Sequence, residues 1–173
     1  MNHTLAYNIA VVDDDPMMLS MMQLMLEDLG NTKVKTYKTG EDFLDDFEMF
    51  EPQLLVVDYH LDSEKKDAMT GSDVIDKLHN KGIQLPVIVA SSQRDMEIAI
   101  KLLKYQVVDY IEKTNHFVVR LEKSVLEVLK VIELNQMKVG TEVYLKKDSN
   151  HLLKTVAAFV VGGLLILLSQ LLF

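Results

Sequence analysis

The chain has 173 residues, 49% of them hydrophobic, which is enough for one folded domain and an appendage. Its formal net charge of -8 argues against nucleic-acid binding, because a nucleic-acid interface needs a basic face. The lack of cysteine excludes disulfides and thiolate metal sites. The N-terminal sequence lacks the basic flank, apolar run and cleavage site of a signal peptide.

Short apolar runs alternate with segments of helical period along the chain. The predicted strands are 9–12, 33–37, 54–57, 86–90 and 107–111. The predicted helices are 16–29, one starting near 40, 71–78, 95–105 and 115–138. Fully apolar strands that alternate with helices predict an α/β fold, in which a doubly wound, five-stranded parallel sheet is covered on both faces.

Polar residues end four of the predicted strands: Asp13 and Asp14, then Asp58, Ser91 and Lys113. In parallel sheets, ligands bind at the carboxyl ends of the strands. Neighbouring carboxylates repel each other unless a cation joins them, and Mg²⁺ prefers oxygen ligands of this kind. With a lysine ammonium and a serine hydroxyl added, the set predicts phosphoryl transfer to a carboxylate.

Four sequence blocks, VVDDDP, LLVVDYHL, PVIVASS and DYIEK, resemble the motif blocks of response-regulator receiver domains, and they occur in the same order. The resemblance covers about residues 7–130 and implies a flavodoxin-like (βα)5 fold. It implies that Asp58 accepts a phosphoryl group from a phosphohistidine on a sensor histidine kinase or phosphotransfer protein. Mg²⁺ would be bound directly by Asp14, Asp58 and the backbone carbonyl of His60, and mainly through water by Asp13.

The same resemblance gives three further residues a role. Lys113 matches the phosphoryl-binding lysine, Ser91 the switch hydroxyl, and Tyr110 the aromatic residue that turns inward on activation. The face formed by the fourth helix, fifth strand and fifth helix would then change shape and signal to a downstream protein. Such a protein is a phosphoacceptor that slowly loses its phosphoryl group, and not a metabolic enzyme.

Two departures from the family pattern stand close to the predicted site. Thr114 replaces the proline that usually follows the lysine. The stretch from Asp58 to Gly71 is longer than usual by about five residues, and a solvated insertion without a role is the favoured interpretation. A role for this loop in kinase choice or phosphoryl lifetime is the alternative.

Several residues have a structural explanation beside a functional one. Asp15 is predicted to be a helix cap and not a ligand, and Ser91 could also cap a helix. For Tyr110 the sequence leaves two interpretations open, core packing and a switch. Gly71 is predicted to be a helix-start glycine without chemistry. A group of methionines is predicted to fill the core: Met17, Met18, Met21, Met22 and Met25.

The C-terminal segment is predicted to be a membrane anchor. Thr155 to Phe173 contains no charged residue and would span about 28 Å as a helix, close to the bilayer core of about 30 Å. Lysines lie just before it, as expected for a cytoplasmic flank. This predicts a tail-anchored protein with its first domain at the cytoplasmic face of the inner membrane. An apolar helix docked on protein is the alternative.

The predicted boundaries are a receiver domain at 1–130, a helix extension and linker at 131–151, and a transmembrane tail at 152–173. The helix extension continues a heptad-like pattern and could form a coiled-coil homodimer. The pattern comprises Val118, Leu121, Val125, Val128 and Ile132. The residues after 130 leave no room for a separate output domain.

Two other functions compete with the phosphoacceptor. A receiver-like scaffold at the membrane would act without phosphorylation, and only Thr114 hints at the broken motif set that it predicts. A phosphohydrolase of the haloacid-dehalogenase type needs a second aspartate two residues after the nucleophile, where His60 stands. The phosphohydrolase is therefore ranked last.

Overall fold

The computed structural model describes residues 6–61, 68–92, 102, 105 and 107–137. The elements are β1 (Tyr7–Val12), α1 (Pro16–Asp28), β2 (Thr32–Tyr37), α2 (Gly40–Phe50), β3 (Leu54–Asp58), α3 (Gly71–Asn80), β4 (Val87–Ser91), β5 (Val107–Glu112) and a helix over 117–137. The strands form one sheet in the order β2-β1-β3-β4-β5, and every pair is parallel. The predicted flavodoxin-like, five-stranded parallel sheet is confirmed.

Two of the central strands, β3 and β4, are buried along their whole length, which explains their largely apolar sequences. Every residue of β3 and β4 is buried. Ala10 and Val12 of β1 pack in one cluster with Phe43 of α2 and Val74 of α3. Ile9 and Val11, which alternate with these residues along β1, are also buried, as expected for a sheet covered on both faces.

Helix α1 begins and ends at the residues that its sequence indicates. The Asp15 carboxylate accepts a hydrogen bond from the Met17 N–H at 2.8 Å, so the predicted helix cap is confirmed. Leu29 is the C-cap, and Gly30 follows with φ +70°, a conformation that glycine adopts without strain. This fixes the direction in which the chain leaves the carboxyl end of β1 and returns in β2.

Two predictions about core residues are wrong. Met17 is 78% exposed, and among the α1 methionines only Met22 is fully buried. Val118 is at the surface, and its neighbour Phe117 lies in the core instead, followed one turn later by Leu121. In both helices the apolar residues surround more than one face, so hydrophobicity alone does not show which face meets the sheet.

Several predicted segments lie outside the described residues. These are most of the helix at 95–105, the long loop at 62–67 and the chain after 137, which includes the linker and the tail. One compact unit ends at Leu129, and the helix continues to residue 137. Within the part of the chain that the structure describes, no helix is long and apolar enough to cross a membrane.

Candidate functional site

The acidic residues meet where β1 and β3 end side by side. Val12 lies opposite Val57 in the register of these strands, so Asp13 and Asp58 follow at the same level. From β1 the chain crosses to β2 at one edge, whereas from β3 it proceeds towards β4 and β5 on the other side. Asp13, Asp14 and Asp58 therefore lie at the topological switch point, where ligands bind in doubly wound sheets.

The next two strands bring a hydroxyl and an ammonium group to the same edge. Asp58 lies opposite Ala90, which immediately precedes Ser91. The Lys113 N–H donates to the Ser91 carbonyl oxygen at 2.8 Å, which continues the pairing of β4 and β5 by one residue. The fold thus places four predicted strand-end positions together.

The Lys113 side chain joins two of the carboxylates. Its Nζ lies 2.7 Å from Asp13 Oδ2 and 2.6 Å from Asp58 Oδ2, and all three side chains are largely buried. Burial raises the pKa of Asp13, although the hydrogen bond and charge of Lys113 act to lower it. Burial acts to lower the pKa of Lys113, but its hydrogen bonds to Asp13 and Asp58 outweigh this effect and raise it. The ammonium form is therefore firmly maintained.

The three carboxylates form a candidate cation site. Asp13, Asp14 and Asp58 each offer an oxygen atom, and these atoms lie within 4.8 Å of one another. Asp13 and Asp58 are buried, whereas Asp14 is partly exposed. A single ammonium does not neutralise three acids, and hard oxygen donors with access to water are what Mg²⁺ requires. This donor set fits Mg²⁺.

Comparison with known proteins identifies the family. The family model of the response regulator receiver domain matches residues 9–125, more than half of the chain. The chain belongs to the response regulator receiver family. Receiver domains are phosphoacceptors, and response regulators interact with the histidine kinases of two-component systems.

The receiver domain is also similar to curated response regulators. It is 30% identical over 105 residues to response regulator protein TmoT of Ectopseudomonas mendocina, covering 61% of this chain and 45% of that protein. It is 26% identical over 160 residues to nitrogen assimilation regulatory protein NtrX of Azorhizobium caulinodans, covering 90% of this chain and 34% of that protein. The chain spans less than half the length of these relatives.

Solved receiver domains share the fold. The signal receiver domain of a Luxo repressor protein from Vibrio parahaemolyticus superposes with a TM-score of 0.67 at 26% identity, covering 77% of this chain and 97% of that one. The BeF3-activated DrrB receiver domain gives a TM-score of 0.60 at 30% identity, covering 73% of this chain and 99% of that one. The fold assignment therefore rests on sequence and structure together.

The remaining predicted residues of the receiver domain lie at the end of β4, on β5 and directly after Lys113. Ser91 is fully buried and is the last residue of β4, and the helix that it could cap lies outside the described residues. Tyr110 is partly buried and packs against the core cluster. Thr114 is exposed, and its N–H donates to the Glu112 carbonyl at 2.8 Å. A main-chain hydrogen bond thus closes the turn at Lys113, and Thr114 stands where the family usually has proline.

His60 contributes its main chain to the neighbourhood of Asp58. The His60 N–H donates to Asp58 Oδ1 at 3.1 Å. The imidazole ring contacts the Tyr59 ring edge-on, with ring centres 4.9 Å apart. The imidazole ring therefore packs against Tyr59, whereas the backbone N–H of His60 binds the Asp58 carboxylate. The carbonyl oxygen remains a predicted metal ligand.

Sequence reasoning placed Gly71 correctly at a helix start but missed its contact with Asp58, and it did not single out Glu41. Gly71, the buried first residue of α3, lies directly on the main chain of Asp58. Glu41, on α2, accepts a hydrogen bond from the Met69 N–H at 3.0 Å. The capping box that precedes α3 could have drawn attention to its start. No local signal connects Glu41 to a residue 28 positions away.

Proposed function

We propose that Asp58 is the phosphoacceptor of this receiver domain and takes its phosphoryl group from a phosphohistidine of a histidine kinase or phosphotransfer protein. The observation that supports this best is the double contact of Lys113 with Asp13 and Asp58 beside a third carboxylate, Asp14. The arrangement combines a nucleophilic carboxylate, a fixed ammonium and a cation site, as phosphoryl transfer to an aspartate requires.

In the proposed reaction an Asp58 oxygen forms a bond to phosphorus while the N–P bond of the phosphohistidine breaks. The donor imidazole leaves with the electron pair and takes a proton from solvent. Lys113 already donates to Asp58 and can donate to a phosphoryl oxygen after transfer. Mg²⁺, bound by Asp13, Asp14, Asp58 and the His60 carbonyl, would neutralise phosphoryl charge. Hydrolysis of the aspartyl phosphate would slowly reset the protein.

Ser91 and Tyr110 are proposed to report the phosphorylated state. The Ser91 hydroxyl, buried at the end of β4, would donate to a phosphoryl oxygen. Tyr110 lies opposite Val89 on the neighbouring strand and is only partly buried, so an inward movement remains available to it. A downstream protein would recognise the changed surface around β5.

The decisive experiment treats the full-length protein with Mg²⁺ and acetyl phosphate and measures its intact mass. We expect a gain of about 80 Da, one phosphoryl group on a carboxylate, that is lost in Asp58→Asn and in the presence of EDTA. Asp45→Asn, which changes an exposed aspartate on α2, should gain the same mass. A phosphoryl gain in Asp58→Asn would refute the assignment, and no gain in wild type would favour the phosphorylation-independent scaffold.

We further propose that the protein is organised as a receiver at 1–130, a linking segment at 131–151 and a transmembrane tail at 152–173. The support is the absence of charge from Thr155 to Phe173 and the lysines that precede this stretch. The receiver would then lie on the cytoplasmic face of the membrane, where its downstream partner could also be found.

A further inference from the structure

Gly71 lies closer to the phosphoacceptor backbone than any other residue type could. A Cβ atom at this position would overlap the Asp58 carbonyl oxygen, and it would lie 2.9 Å from the Asp58 carbonyl carbon and 3.0 Å from Tyr59 Cα. The Gly71 N–H also donates to the Tyr59 carbonyl oxygen at 3.2 Å. The start of α3 thus rests on the main chain of Asp58 and Tyr59, and glycine alone leaves room for it.

The two residues before Gly71 are held as well. The Met69 N–H donates to Glu41 Oε1 at 3.0 Å, and the Thr70 N–H donates to Asp73 Oδ2 at 2.8 Å. Three consecutive main-chain N–H groups, at 69, 70 and 71, therefore have acceptors on three different elements or turns. We call these three residues the α3 anchor. Its acceptor furthest away in sequence is Glu41 on α2, which ties the anchor to a second helix.

The α3 anchor contacts the main chain of Asp58 and Tyr59 on the side opposite β4. The Tyr59 N–H donates to the Ala90 carbonyl at 2.8 Å, so β4 holds the main chain on one side while Gly71 covers it on the other. The Asp58 carboxylate depends on this stretch of backbone, since its Oδ1 accepts the His60 N–H. A shift of the main chain after Asp58 would turn the carboxylate relative to Lys113.

We propose that Gly71 and Glu41 are positioning residues for phosphoryl transfer: the α3 anchor fixes the backbone that orients the Asp58 carboxylate. The inference rests on the proposed acceptor role of Asp58. It predicts that a change in the anchor slows phosphorylation of folded protein, because a displacement of about 1 Å at a reacting group can lower a rate by roughly a hundredfold.

The test uses full-length protein at saturating Mg²⁺ and follows the initial rate of phosphorylation by acetyl phosphate. Gly71→Ala should lower this rate by about tenfold or more. Glu41→Leu, which removes the acceptor of the Met69 N–H, should also lower it, and Glu41→Gln, which keeps an acceptor oxygen, should restore it towards the wild-type rate. Asp42→Leu, at the adjacent exposed acid of the same helical turn, is the matched control and should leave the rate unchanged.

Circular dichroism and thermal unfolding of each variant separate positioning from loss of fold. If Gly71→Ala and Glu41→Leu are folded and react at the wild-type rate, the proposal is wrong. It is equally wrong if their slower reaction follows only the unfolded fraction and recovers fully on cooling. Failure of the proposed function itself looks different, because wild type would then gain no phosphoryl group or Asp58→Asn would still gain one.

Discussion

Lys113 is the residue on which the resting site depends, because its ammonium is the counter-charge of two buried carboxylates. Lys113→Met would leave Asp13 and Asp58 without it. Breaking a buried ion pair from one side typically costs about 3 kcal/mol or more. We therefore expect the metal-free variant to lose about 3 kcal/mol in its free energy of unfolding at neutral pH.

This loss should depend on pH in a defined direction. The pKa of Asp13 is above its ordinary value of 3.8 because of burial. At a pH between the pKa of Asp13 in the unfolded state and its higher pKa in the folded state, the folded protein binds more protons than the unfolded protein. The contribution of Asp13 to the free energy of unfolding therefore falls as the pH rises through that range. Without Lys113 the Asp13 pKa should rise further, and the stability gap to wild type should therefore widen from mildly acidic to neutral pH.

Urea unfolding of wild type and Lys113→Met in EDTA, at mildly acidic and at neutral pH, measures the difference between their free energies of unfolding. Lys113 itself gives no opposing trend in this range, because its pKa is raised from 10.5 and its contribution is lost only at more alkaline pH. Lys123→Met, at a largely exposed lysine, is the control and should behave as wild type. An equal gap at both pH values would show that the buried acids do not cause the loss.

The site residues that the sequence could predict are those at strand ends. Asp13 and Asp58 each follow an apolar run, Lys113 follows the fifth strand, and parallel strands bring such ends together without further information. The α3 anchor could not be predicted in the same way. Gly71 is needed because it approaches the Asp58 main chain, and a long loop separates these two residues in the sequence. Glu41 looks in the sequence like any acidic residue in the first turn of a helix.

At the scale of elements, the turn between β1 and α1 contains three consecutive aspartates with two different tasks. Asp15 caps α1, whereas Asp13 and Asp14 belong to the carboxylate cluster. Asp15→Ala should therefore lower the free energy of unfolding by about 1 kcal/mol, the usual value of such a cap. Its effect on Mg²⁺ affinity should be much smaller than that of Asp14→Asn.

Thermal unfolding with and without a Mg²⁺ titration measures both quantities, because a ligand of the folded state raises the midpoint by mass action. Asp28→Ala, at the other end of α1, controls for loss of an exposed acid from this helix. If Asp15→Ala weakens Mg²⁺ binding as much as Asp14→Asn does, the division of tasks within the turn is incorrect.

The positions of helices and strands were predicted better than which of their residues are buried. The strand β3 was predicted at nearly its observed bounds because all of its residues are buried and the first four are apolar. Helix α1 was also located, but Met17 was assigned to the core and is exposed. Apolar residues on all sides of a helix give no preferred direction, so packing against the sheet decides which of them are buried.

At the scale of the whole molecule, the phosphoacceptor proposal and the membrane proposal are independent and need separate tests. The first rests on contacts among Asp13, Asp58 and Lys113, whereas the second rests on the uncharged sequence from Thr155 to Phe173. A receiver at a membrane surface would search for its partners in two dimensions. Loss of the tail should then alter signalling in cells without altering phosphorylation by acetyl phosphate.

Cell fractionation tests the tail directly. Full-length protein should sediment with membranes and resist extraction with alkaline carbonate, whereas the chain cut after Asn150 should remain in the supernatant. Full-length protein with Leu165→Arg and Leu168→Arg is the matched control, because each arginine at the centre of a span costs about 3 kcal/mol of insertion free energy. We expect it to leave the membrane fraction while it accepts a phosphoryl group normally. Full-length protein in the supernatant, or truncated protein in the membrane fraction, would remove the basis for the anchor.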